Sequence, residues 1–85
     1  MSSVLTRQYE RDIGIYALDS NPMIAQVGKM AEQLLWQINW KSSRDNLVST
    51  IYFNVVRLVS YVEYGLTFDL QKEKEELEET ISKAS

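Results

Sequence analysis

The residues with most to offer chemically are Glu73, Glu76 and Glu79, spaced three apart in "QKEKEELEETISK". On a helix, carboxylates at that spacing come near enough to share a proton or a cation. Lysines interleave with them, which is the composition of a solvated helix face. Other tools of catalysis are missing, because the sequence has no histidine and no cysteine. That removes the usual general base, the commonest metal ligand, thiolate metal sites and disulfides. With only carboxylates, tyrosines and lysines left, the chain is expected to be non-enzymatic, without cofactor or metal.

Recognition offers more. Trp36 and Trp40 lie four apart in "AEQLLWQINWKSS", a spacing that puts both on one face of a helix. That face is opposite the apolar arc of Met23, Ile24, Val27, Met30, Ala31, Leu34, Leu35 and Ile38. Phe53 and Tyr64 likewise fall on the far side of the next apolar stripe, beside Arg57 and Ser60. Trp36, Trp40, Phe53 and Tyr64 are therefore the candidate partner-binding residues, since aromatic rings are enriched at interface centres. A plainer alternative is that a small bundle wraps its middle helices on several sides and uses these rings as a second internal layer. The expected partner is another protein, a second copy of the chain, or both. Tyr9, Tyr16, Tyr52 and Tyr61 suit the edge of the core, with wet hydroxyls.

A helix-turn-helix is the competing reading, because "WQINWKSSRDNLVSTI" joins two helices by a short turn holding serines. Its second helix would offer Leu47, Val48, Ile51 and Tyr52 to a groove, with only Arg44 and Asn46 at its start. Up to Phe68 there are six basic and six acidic residues, and from Asp69 onward three lysines face six acids, so the net charge of -3 lies in the last segment. That distribution argues against a nucleic-acid partner, whose binding needs clustered cations. An apolar-ligand carrier is a third possibility and would need a cavity between the second and third helices.

These residues must be positioned by helices. Asn21 can cap a helix with Pro22 at its first position. Ser42 with Asp45 resembles a capping box at the start of the next. That helix follows Leu47, Val48, Ile51, Tyr52, Val55, Leu58, Val59 and Val62, a helical period in residues that individually favour strands. Few of its positions suit water, which predicts a central location. Gly65 suits a left-handed cap, and Thr67 or Asp69 can begin the final helix. The N-terminal "SVLTRQYERDIGIYAL" reads as a helix burying Leu5, Tyr9, Ile13 and Tyr16, although Gly14 weakens it and a strand is the alternative.

The predicted fold is all-α, a small antiparallel bundle of three to four helices completed by oligomerisation. An 85-residue chain is marginal as a lone core. Residues 1–68 form the helical body. Residues 69–85 form a charged C-terminal helix with a narrow seam of Leu70, Leu77, Ile81 and Ala84, coiled-coil-like or frayed, and dispensable from Glu78 onward. Charges interrupt "MSSVLTRQYERDIG" where an export signal needs an apolar run, and "LVSTIYFNVVRLVSYV" is short and interrupted for a membrane span. The expectation is a cytoplasmic protein with no membrane partner.

Overall fold

In a computed structural model, which describes residues 3–85, every regular element is a helix: α1 (Val4–Ala17), α2 (Pro22–Gln37), α3 (Arg44–Glu63) and α4 (Leu70–Lys83). Met1 and Ser2, which the sequence assigns to the body, lie outside the described residues. Each boundary has a local cause. Ser3 caps α1 by accepting from the Thr6 N–H at 3.0 Å. Asn21 Oδ1 accepts from the N–H groups of Met23 and Ile24, with Pro22 at the first turn. Asp69 accepts from the Lys72 N–H at 3.2 Å. At the end of α3, Gly65 takes φ +72°. There the Leu66 N–H reaches the Tyr61 carbonyl at 2.8 Å and the Gly65 N–H reaches Val62 at 3.2 Å, the paired bonds of a Schellman cap.

Three local expectations differ from what forms. Ser42 and Asp45 make no capping box, and the cap of α3 is Ser43, whose side chain makes no capping bond. Ser43 instead turns to the end of the chain, where its Oγ and N–H both donate to the backbone oxygen of Ser85, at 2.6 and 3.0 Å. α2 stops at Gln37, so Trp40 sits in the following turn rather than on the helix. The third difference is in α1, which is a helix through Gly14 but buries Thr6, Ile13 and Ala17, leaving Tyr9 and Tyr16 half-buried and Leu5 exposed. Its inner face is turned by about 60° from the expected one at ~100° per residue, and the close approach of Ala17 to Gly28 of α2 accounts for the turn.

Connections are short and directions alternate. Glu10 shares a groove with Trp36 while Ala17 meets Gly28, so α1 and α2 are antiparallel. Met23 and Val62 line one groove at the opposite pole, giving the same relation for α2 and α3. α4 returns along α2, with Lys74 Nζ donating to Gln33 at 3.0 Å and Gln37 donating to Glu78 at 3.1 Å. α2 packs against all three other helices, while α3 packs on α1 and α2 and reaches α4 through Arg57. The fully buried Val27, Ala31 and Leu34 of α2, with Ile38 at its cap, share one cluster with Ile13, Val48, Val55 and Leu58, each buried Val, Leu or Ile side chain contributing roughly 1.5–3 kcal/mol. Met23 is the exception on the arc, exposed in the first turn of α2 at the rim of the groove it shares with Val62.

The C-terminal seam is seated in this core. Leu77 and Ile81 are buried, and Leu70 and Ala84 pack half-buried beside them. Arg57 of α3 bonds Glu73 at 2.6 Å, and Lys41 Nζ donates to the Ala84 carbonyl at 3.0 Å. Where the charge pattern suggested a frayed end, the last residues are tied to the turn between α2 and α3.

Candidate interaction surface

The four aromatic residues singled out by their spacing are all at the surface. Trp36 is 72% exposed, Trp40 79%, Phe53 56% and Tyr64 80%, so they do not form a second internal layer in the single chain. Nor do they form one patch. Tyr64 caps the end of α3, and that helix of 20 residues separates it from the Trp40 turn by about 30 Å at ~1.5 Å per residue. Phe53 lies midway, on the α1 side.

Phe53 belongs to a ring cluster. Tyr9 of α1 stacks on Tyr52 of α3 with centroids 4.1 Å apart and planes at 12°, and Phe53 meets the two edge-on at 5.6 and 5.4 Å. The parallel pair fixes α1 against α3 and supplies a half-buried base on which Phe53 stands out. Burial, foremost, holds the Tyr52 phenol above its ordinary range, with the Asp12 carboxylate adding to the effect.

Trp36 faces a groove between α1 and α2, open to solvent and lined also by Glu10, Glu32, Leu35 and Asn39. At the other pole Met23, Val62, Leu66 and Phe68 line a second, more apolar groove. Sequence reading did not single out that pole, nor the exposed Val4, Ile15 and Leu18 of α1. The α1 residues had a signal, since they recur at helical spacing. The pole had none, because Met23 and Leu66 come together only through the packing of α2 on α3.

The three cations on which the helix-turn-helix reading would draw, Lys41, Arg44 and Arg57, are engaged within the chain. Arg44 pairs with Glu10 at 2.8 Å. Lys41 bonds the tail. Arg57 pairs with Glu73, bonds Asn54 and lies 5.4 Å from the Tyr61 ring centre, and the Glu73 bond raises its pKa further. The glutamate trio is likewise dispersed, Glu73 turning to Arg57 and Glu79 to Lys83 at 3.1 Å. Among the described residues no three potential metal ligands cluster, and no helix is long and apolar enough to cross a membrane. Comparison with protein families, with curated proteins and with solved structures finds no match to this chain.

Proposed function

We propose that this chain is a non-enzymatic helical interaction module, an oligomer-forming subunit, adaptor or small regulator of the cytoplasm, that binds protein through the Trp36 and Trp40 end of α2. The observation that carries this reading is the exposure of both tryptophans in a domain whose core is filled without them. Large exposed rings beside a groove are the usual anchors of protein contacts. Phe53, on its tyrosine base, and Tyr64 are secondary contact points, Tyr64 lying about 30 Å from the Trp40 turn.

The nucleic-acid alternative draws less support. Leu47, Val48 and Ile51 of α3 face the core, and Arg44, Lys41 and Arg57 point at three different places within the fold rather than forming the contiguous basic face that phosphate contact needs.

A photo-crosslinking amino acid placed at position 40, in cells that make the protein, tests the reading. Discrete adducts to protein, either a second copy or another chain, are expected. Adducts to nucleic acid, or none, would overturn it.

A further inference from the structure

The outer side of α1, with its C-terminal cap, carries a mixed apolar and polar stripe. Val4, Gln8, Arg11, Ile15 and Leu18 follow the alternating four and three spacing by which one helix packs on another. All five are exposed. Arg7 and Arg11 line a shallow groove with Val4 and Gln8 and make no ion pair among the described residues.

Next to this basic and apolar strip lies its complement. The groove at Trp36 is walled by Glu10, Glu32, Leu35 and Asn39, with a volume of about 340 Å³. Glu10 already holds the Arg44 guanidinium at 2.8 Å. Glu32 is exposed, and its side chain has no hydrogen bond or ion pair among the described residues. On α1 the two strips are neighbours, Arg7 standing about 60° and Arg11 about 100° round the helix from Glu10. A surface holding two adjacent, complementary strips matches a copy of itself across a two-fold axis, each strip meeting the other kind and the contact being made twice.

We propose that two copies of this chain pair through this side, Arg11 of each seated against Glu32 and Trp36 of the other, with Ile15 and Leu18 covered at the same contact. The inference rests on the interaction-module reading and names its partner. The ring face of a tryptophan and a carboxylate together form a favourable seat for a guanidinium. Residues 1–68 balance six basic against six acidic side chains, so the excess of three negative charges on each copy lies in residues 69–85, outside the paired strips.

Charge reversal decides the matter. The parent protein should sediment as a monomer–dimer equilibrium that salt weakens. Arg11→Glu and Glu32→Arg, each at an exposed position and each checked as folded by circular dichroism, should each weaken dimerisation at least about tenfold by placing like charges together. Mixed in equal amounts, the two variants should recover association close to the parent's, because every contact in the mixed pair again joins opposite charges. A parent that stays monomeric into the millimolar range, a dimer indifferent to either reversal, or a mixture that fails to recover would each overturn the proposal. A monomeric parent that still gives adducts to another protein from position 40 removes the dimer and leaves the module reading standing.

Discussion

Gly28 of α2 rests on the backbone of Ala17 in α1, with no space for a side chain between them. A Cβ on Gly28 would press on the Ala17 nitrogen and come within 2.6 Å of the Ala17 Cα and 2.7 Å of the Tyr16 carbonyl carbon, well inside the 3.5–4.0 Å at which carbon atoms pack. The contact lets two helices joined by a short connection cross closely, and it sets the rotation of α1 that brings Ile13 and Ala17 inward.

Gly28→Ala should therefore cost about 3 kcal/mol or more, since backbone must move to admit the methyl group. Urea denaturation should show a lower midpoint with an unchanged slope. Gly14→Ala should do the opposite. At Gly14 the nearest atom to an added Cβ is a flexible Glu32 oxygen at 3.8 Å, so the helix gains roughly 0.5–1 kcal/mol. Equal effects at the two glycines would disprove the close crossing.

Replacing Trp36 and Trp40 together with glutamine should leave the thermal midpoint of the monomer little changed, because both rings are largely exposed and removing a buried aromatic would cost about 3–5 kcal/mol each. Parent tryptophan emission should be red-shifted at high dilution and move to the blue on association. An unfolded double variant of a monomeric parent would mark the rings as structural.

Removing residues from Glu78 onward should destabilise the fold, contrary to what the charge of this segment suggests. The deletion takes Ile81 out of the core together with the oxygens that Ser43 and Lys41 bond at Ser85 and Ala84. Loss of one buried isoleucine alone costs about 2–5 kcal/mol. Ile81→Ala in the full chain should reproduce much of the loss, and hydrogen exchange should show the start of α3 opening more readily.

Stability should fall in alkali through Tyr52. Its phenol is raised above the ordinary value of 10.0, chiefly by burial and next by Asp12. Above the unfolded value the unfolded chain has lost a proton that the folded chain still holds, so the contribution is complete below about pH 10 and declines as pH rises toward the folded value. Tyr52→Phe keeps the stacked ring and should flatten the alkaline limb of a plot of urea midpoint against pH. An unaltered limb would assign the loss to other groups.

Hydrophobic period and cap chemistry, both local properties, were sufficient in the sequence for α2, α3 and α4, whereas Gly14 left a strand open for the segment that forms α1. Asn21 with Pro22, Asp69 and Gly65 occupy the boundaries that their side chains or backbone freedom favour, and the stripe from Leu47 to Val59 is helical because burial outweighs the propensity of β-branched residues. That Trp36 and Phe53 lie off the apolar stripes was legible for the same reason, a helix face being set by residue number, while packing decided that those faces are exposed and not a second internal layer. Tertiary contact decided the rest. The rotation of α1 depends on how closely two backbones approach at Gly28, which no periodicity encodes. Ser43 leaves its capping role for a partner 42 residues away, and α4 trades an exposed seam for the flank of α2. The sharing of one groove by Glu10, Glu32 and Trp36 likewise arises only when α1 lies antiparallel on α2, because charge and ring separated by 22 and 26 residues in the chain are joined by packing alone.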